Sequence, residues 1–441
     1  VDAPPQVPHI LLESGFRLSA ILRALRHRNY RLFIAGQFLS LIGTWMQSVA
    51  QSWLVYRLTG SSTMLGAVSF ASLIPVFLLS PVGGAAADRH DRRRIIIAAQ
   101  SAMMLLAFAL AGLTLSGHVR VWQIVALAAL SGVANAFDVP GRQSFLVAMV
   151  GKADLMNAIA LNSSMFNSAR IVGPAIAGVL VAAVGEGWCF FLNGLSFVAV
   201  LSSLLRMRVD TARADAALES PIAAILQGFG WVRRTGPVLA LLLLLGLSSV
   251  AGMPYSVLLP VFADRVLGGG PQALGFLTGA SGAGALAGAL SLAARRGVKG
   301  LGRYVVLASS AFGCALLVFS LSRTLWLSAA LLVPVGFSVM VQMAASNTLI
   351  QTMVPDSLRG RVMSMYSMVF LGMAPFGGFL AGAVAEWLGA PATVSIGGSV
   401  CLLGSAVFWL RWRKLRIEAR RLIIAQQAEA GAPAEQATET G

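Results

Sequence analysis

Charge is the scarcest ingredient of this sequence. Only 11% of its 441 residues are Asp, Glu, Lys or Arg, and 57% are hydrophobic, against the roughly quarter-charged makeup of soluble domains. That balance excludes an ordinary soluble chain and points to one solvated by lipid. Histidine is limited to His9, His27, His90 and His118, all in tails or connections, which argues against an enzyme whose titratable groups converge inside a bilayer. Cys189, Cys314 and Cys401 each stand alone in apolar sequence, with neither metal nor disulfide spacing, and read as core filler. No GxxxxGK[ST] phosphate loop occurs, so nucleotide-driven work is not expected, and neither is a cofactor or a bound metal.

What is present is long apolar runs. Runs able to cross a hydrocarbon core of ~30 Å, which takes about 20 helical residues, fall near 31–55, 62–87, 95–116, 121–141, 155–184 and 188–205. Six more fall near 237–262, 273–294, 304–322, 325–352, 362–385 and 391–411. The expected fold class is all-α integral membrane, twelve transmembrane helices in two six-helix halves. The expected division is a basic amphipathic segment 1–30, a bundle 31–205, a central loop 206–236, a bundle 237–411 and a partly disordered tail 412–441.

The net charge of +16 would suit nucleic acid, but its distribution follows the positive-inside rule. Of the Lys and Arg residues 28 fall in the tails and alternate connections, only Arg57, Arg120, Arg265 and Arg323 in the others, and Arg170 alone within a span. Both termini are therefore expected in the cytoplasm, with the chain in the cell inner membrane. The lipid bilayer, and no nucleic acid, is its expected surroundings.

A half-and-half layout suggests duplication. At an offset of 204 residues Met149, Val150, Ser163 and Phe166 match Met353, Val354, Ser367 and Phe370, and Gly173, Ala177, Gly178 and Gly185 match Gly377, Ala381, Gly382 and Gly389. The glycines carry the weight, because small residues let helix backbones approach within a membrane. Gly173, Pro174, Gly178, Gly377 and Gly382 are accordingly expected to be packing positions.

The stretch VGGAAADRHDRRRIII, Val82 to Ile97, sets two acids and four arginines within seven positions between apolar flanks. Gly84 lies where two backbones are expected to meet, and Asp88 on the same side as the start of the eleventh span near Arg361. A helix N-terminus stabilises a carboxylate by ~0.3–2 kcal/mol, so Asp88 is expected to latch the halves together there. A role of the arginines in topology alone is the alternative.

Gly84, Asp88, Arg89, Arg92 and Arg93 resemble the signature that follows the second span in the major facilitator superfamily, with Asp91 where that family usually has glycine. This departure, AFDVPGRQ (136–143) and ARIVGPAIAG (169–178) resemble its branch of siderophore and macrolide exporters. The resemblance implies the major facilitator fold with pseudo-symmetric halves, alternating access, a small-molecule substrate and protons as coupling ion. It also implies a pair between Asp138 and Arg92 or Arg93, with Arg142 one turn from Asp138. A monomer is expected. Asp138 is open to two readings, a proton carrier or a permanently ionised strut.

Polar faces suggest where a substrate passes. Gln37, Ser40, Thr44, Ser48 and Gln51 share an arc of about 80° on the first span, either lining a cavity or bonding helices together. Ser163, Asn167 and Arg170 share a face of the fifth span, and Gln342, Ser346 and Asn347 recur at helical spacing in the tenth. A cation at mid-membrane costs at least ~2.5 kcal/mol on insertion scales and marks a cavity or a partner. Arg170 is thus either a substrate anchor or a partner of a carbonyl or of Asp138. The leading functional reading is a secondary transporter exporting an amphipathic molecule by proton antiport. The alternatives are an inward symporter and a transport-dead sensor or scaffold.

Overall fold

Twelve helices long and apolar enough to cross a membrane occur among the described residues of the computed structural model, which are 23–207, 221–295, 297 and 300–429. They are α1 (Arg28–Thr59), α2 (Ser62–Ala87), α3 (Arg92–Leu115), α4 (Val121–Gly151), α5 (Ala153–Val184) and α6 (Glu186–Arg206) in the first half. The second half holds α7 (Gly236–Val266), α8 (Gly270–Ala293), α9 (Leu301–Leu321), α10 (Leu325–Met353), α11 (Asp356–Leu388) and α12 (Ala390–Trp412). Strands are absent among the described residues.

Helix ends follow local chemistry. Gly60, at φ 61°, closes α1 in a left-handed turn that a side chain would strain, and Ser61 caps α2 by accepting from the Met64 amide at 3.3 Å. Asp91, at the position of the departure from the family signature, caps α3: its carboxylate accepts from the Arg93 and Arg94 amides at 2.9 and 3.4 Å. Such a cap stabilises a helix by ~1 kcal/mol. Between α4 and α5 the chain stays helical except at Gly151, φ 69°.

The last helix runs on beyond the expected span to Glu429, so residues 412–429 of the expected tail are helical. Its Ala, Gln, Glu, Leu and Arg residues are good helix formers, and Leu415, Ala419, Leu422 and Ile423 pack on the second-half core. Residues 430–441, like 1–22, lie outside the described residues. The central interval contains a helix, Pro221–Arg234. Of the cysteines Cys189 and Cys401 are buried, while Cys314 is exposed and fills no core.

The duplicated glycines make matching contacts. Gly173 of α5 sits on the Ile42 carbonyl and Trp45 of α1, and Gly377 of α11 sits on the Ser249 and Val250 carbonyls of α7. Gly178 of α5 lies against Pro271 and Gly275 of α8, as Gly382 of α11 lies against Ser62 and Gly66 of α2. Gly132 of α4 meets the Ser72 carbonyl of α2, and Gly336 of α10, 204 residues on, meets the Ser281 carbonyl of α8. Each half is thus built by the same helix contacts, and each joins the other through a glycine-lined seam, α5 on α8 and α11 on α2.

The buried core is shared at one end of the bundle and divided at the other. One cluster joins Met46, Trp53, Ile124 and Phe190 of the first half to Tyr255, Phe262, Phe312 and Phe319 of the second. It lies toward the connections that carry few arginines. Toward the arginine-rich end the core splits in two. Tyr30, Phe33, Ile96, Phe145 and Phe197 form one part, and Val238, Leu241, Val305, Ile350 and Tyr366 the other. Lipid is as apolar as leucine, so contact between helices rests on close packing and polar links rather than water exclusion.

Candidate functional site

Asp138 is buried in α4 at 1% exposure. Its Oδ1 accepts from Gln100 Nε2 of α3 at 2.8 Å, and its Oδ2 lies 2.7 Å from Arg142 Nε. The Arg142 N–H is not aimed at the carboxylate, so this contact is a charge pair rather than a hydrogen bond. The expected pairing with Arg92 or Arg93 is not formed. Arg92 Nε donates to the Ala87 carbonyl at 3.2 Å, and Arg93 donates to the Leu204 and Leu205 carbonyls of α6 at 2.9 and 2.8 Å. The last carbonyls of a helix lack partners within it, and α6 offers its own to Arg93. Arg142, one turn from Asp138 on the same helix, reaches the acid with less ordering than a residue of another helix.

The Asp88 side chain lies outside the described residues; Arg89 beside it is exposed. Gly84 is not a point of close approach here, since a Cβ added to it would meet nothing within 4 Å, and the same holds for Gly360 in the first turn of α11. The tight contact belongs to Gly83, against the Ala136 carbonyl of α4. One residue turns a helix by about 100°, so adjacent glycines serve different neighbours.

The polar stripe of α1 divides. Gln37 and Ser40 are buried among helices and do not line an opening, Thr44 and Ser48 are exposed, and Gln51 is half-buried. Beside the stripe, Gln47 accepts from Asn193 of α6 at 2.7 Å, a helix-to-helix bond. In the second half Gln342 is likewise buried, with its Nε2 donating to Ser248 of α7 at 2.8 Å. Ser346 is buried, and half-buried Asn347 accepts from Gln351 at 2.6 Å.

Arg170 stands where the α5–α8 seam ends. Its carbonyl faces Gly282 of α8, and its guanidinium carbon lies 5.7 Å from the Trp45 ring centroid. Tyr255 of α7 shares a 2.7 Å hydrogen bond with Ser281 of α8. Toward the arginine-rich end on the same face, Asn167 is buried and donates to the Ser163 carbonyl at 2.9 Å, while Ser163 is exposed. Asp138 is committed to Arg142 and Gln100, so it is no partner of Arg170.

The arginine-poor end is held by polar links between halves. Glu386 of α11 accepts from Ser61 Oγ at 2.9 Å and the Thr63 amide at 3.1 Å, at the start of α2. Arg265 of α7 donates to the Gly60 carbonyl at 2.9 Å and lies over the Tyr56 ring of α1. Within the first half Arg57 pairs with buried Glu186 at 2.7 Å. Glu186, Asp264 and Glu386 lie just beyond the expected spans, inside helices that run longer. Gln100, Trp45, Tyr255, Arg265 and Glu386 are additions to the expected set. The scarcity of acids is the signal that marks Glu186 and Glu386 in the sequence.

A bundle of two six-helix halves, joined through two glycine seams and parted at one end, is the architecture of a major facilitator transporter. The chain belongs to that superfamily: the family model described as "Transmembrane secretion effector" matches residues 19–436. It is similar to the staphyloferrin A transporter of Staphylococcus aureus, 29% identical over 88% of this chain and 97% of that one. It is 30% identical to the multidrug efflux pump Tap of Mycolicibacterium fortuitum, over 86% of this chain and 95% of the pump. The enterobactin exporter EntS of Escherichia coli shares 24% identity over 88% of this chain and 93% of its own. Among solved structures the nucleoside transporter NupG has the same fold, with a TM-score of 0.70 at 14% identity over 87% of this chain and 99% of that one. The chain is thus a multi-pass membrane protein that transports small molecules rather than an enzyme.

Proposed function

We propose that this transporter exports an amphipathic small molecule, of the siderophore or drug-like kind its relatives are named for, across the inner membrane by alternating access. The observation that carries the reading is the core shared at the arginine-poor end and split at the arginine-rich end. With the arginine-rich end in the cytoplasm, as the positive-inside rule directs, both termini lie inside and this conformation is open inward. Substrate enters between the halves, and the seams α5–α8 and α2–α11 then part as the cytoplasmic ends close. In that closed form Asp88 meets the start of α11 as a latch, with the open faces of Gly84 and Gly360 as the surfaces that come together.

Concentrating a substrate outside requires an ion gradient, and protons are the coupling ion of this reading. Asp138 is the acid assigned to carry them. Its partner Arg142 lies on the same helix, so a change at Gln100 or in solvent access alters the acid's surroundings without parting it from the cation. The monomer is the working unit, since each chain contains both halves of the path. The test is a deletion strain compared with its complemented parent for retention of siderophores and sensitivity to macrolides and dyes. Greater retention or sensitivity on deletion supports export. Reduced uptake on deletion contradicts it and favours an inward symporter.

A further inference from the structure

Arg170 is the unexplained charge of the bilayer region. It lies 17 residues into the 32-residue helix α5, roughly 25 Å along it at 1.5 Å per residue, and so at mid-depth. Among the described residues no carboxylate pairs with it; its guanidinium lies over the Trp45 ring and its carbonyl faces Gly282. Four other cations near the spans are engaged: Arg142 with Asp138, Arg57 with Glu186, and Arg93 and Arg265 with carbonyls. Arg170 is half-buried rather than enclosed, so its planar fork of donors remains accessible. A cation at this depth costs at least ~2.5 kcal/mol to insert and marks an aqueous cavity or a partner, and the group beside this one is an aromatic face.

The surroundings define what fits. Trp45 and Phe166 stack edge-to-face at 5.7 Å beside the guanidinium, giving an apolar, aromatic wall. Behind this wall, in the opposite half, Tyr255 and Ser281 are buried and hydrogen-bonded to each other at 2.7 Å. The aromatic wall and the guanidinium come from α1 and α5 and the buried hydroxyl pair from α7 and α8, so the site lies where the two halves meet. A guanidinium is matched to a planar anion through parallel N–H bonds.

Resting on the exporter reading above, we infer that Arg170, Trp45 and Phe166 form the substrate site, with the Tyr255–Ser281 pair behind it, and that it selects an anion, a carboxylate or an acidic phenolate, carried on an aromatic or apolar body. Arg170 binds the anionic group, the aromatic pair binds the body, and the Tyr255–Ser281 pair reports occupancy to the second half. A neutral or cationic analogue of the same shape leaves the guanidinium without a partner and binds more weakly.

The test uses the full chain in phosphatidylcholine vesicles and three heavy-atom quenchers of tryptophan fluorescence: para-iodobenzoate, its methyl ester and para-iodobenzylammonium. The expected result is a saturable quenching component with the carboxylate that disappears in Trp45→Phe, against only the linear, partition-driven quenching with ester and ammonium. A hydrogen-bonded charge is worth about a ten- to hundredfold change in affinity, so Arg170→Gln is expected to weaken the midpoint by that factor and Arg170→Lys to retain part of it. The comparison of carboxylate with ester on the unmutated chain needs no variant to fold. Equal midpoints for carboxylate and ester, an unchanged midpoint in Arg170→Gln, or no saturable quenching at all overturns the proposal. A deletion strain that still shows export while quenching fails removes the anion site alone. Saturable quenching without an export phenotype removes the exporter reading instead.

Discussion

The two halves share their packing and differ in their charge. At an offset of 204 residues Asp138, Arg142 and Arg170 of the first half correspond to Gln342, Ser346 and Ala374 of the second. Asp138 and Gln342 are buried alike, at 1% and 2% exposure, one beside a cation and one on a serine hydroxyl. The glycine contacts Gly173 on α1 and Gly377 on α7, or Gly132 on α2 and Gly336 on α8, are meanwhile repeated. Helix packing in lipid tolerates little change where backbones touch, whereas a polar group needs only a satisfied partner, neutral or charged. The packing contacts are repeated in both halves, whereas the buried Asp138–Arg142 pair and the mid-helix Arg170 have uncharged counterparts in the second.

The largest expected effect tests that difference. Asp138→Asn is expected to abolish uptake driven by an imposed pH gradient in inside-out vesicles while leaving downhill exchange measurable, and Gln342→Ala at the matching position to leave the drive intact. A fully retained drive in Asp138→Asn makes the acid a permanent strut, and equal loss in both variants ends the asymmetry.

The seams should behave alike. Gly275→Leu and Gly66→Leu each force a side chain against the backbone of the other half, near the Pro174 and Gly378 carbonyls. Overpacking costs ~1–3 kcal/mol, a shift of roughly five- to a hundredfold away from the sealed form. Cysteine labelling from the arginine-poor side should rise in both, and a rise in only one shows unequal seams.

A smaller effect attaches to the latches, which belong to α2 and α11 alone. Position 182, which corresponds to Glu386, is Ala, so the α5–α8 seam has no matching carboxylate. Glu386→Gln weakens the charge at the α2 N-terminus by ~0.3–2 kcal/mol, and labelling from the arginine-poor side is expected to rise by up to about thirtyfold. Asp88→Asn should act in the opposite sense, raising labelling of the cytoplasmic cavity. Asp91→Ala is the smallest change, ~1 kcal/mol of stability through loss of a cap. Thermal unfolding should register it with the pH-driven uptake unaltered.

Hydropathy made the spans legible, because a helix in lipid must satisfy its own backbone and be apolar over a fixed length. The glycine repeat was legible because close approach leaves few residue choices. Partners were not. A helical wheel puts Gln37, Ser40, Thr44 and Ser48 on one stripe but does not say that neighbouring helices cover the first two. Asp138 pairs along its own helix and with α3, a choice made by tertiary geometry after Arg93 has gone to the end of α6. Glu386 and Arg265 stand out as rare charges, but hydropathy ends a span several residues before the helix itself stops, so their partners in the other half were not legible.

Alternating access itself is tested most directly by two distances measured on one molecule, with the native cysteines Cys189, Cys314 and Cys401 replaced by Ala. Spin labels at His90→Cys and Ser357→Cys report the arginine-rich end, and labels at His118→Cys and Thr324→Cys report the other. All four positions are exposed and lie on opposite halves. In liposomes shifted between acidic and alkaline pH, the account predicts that one distance lengthens as the other shortens, and that Asp138→Asn holds both at one value. Two distances that lengthen together, or that do not change in the unmutated protein under any proton load, contradict it.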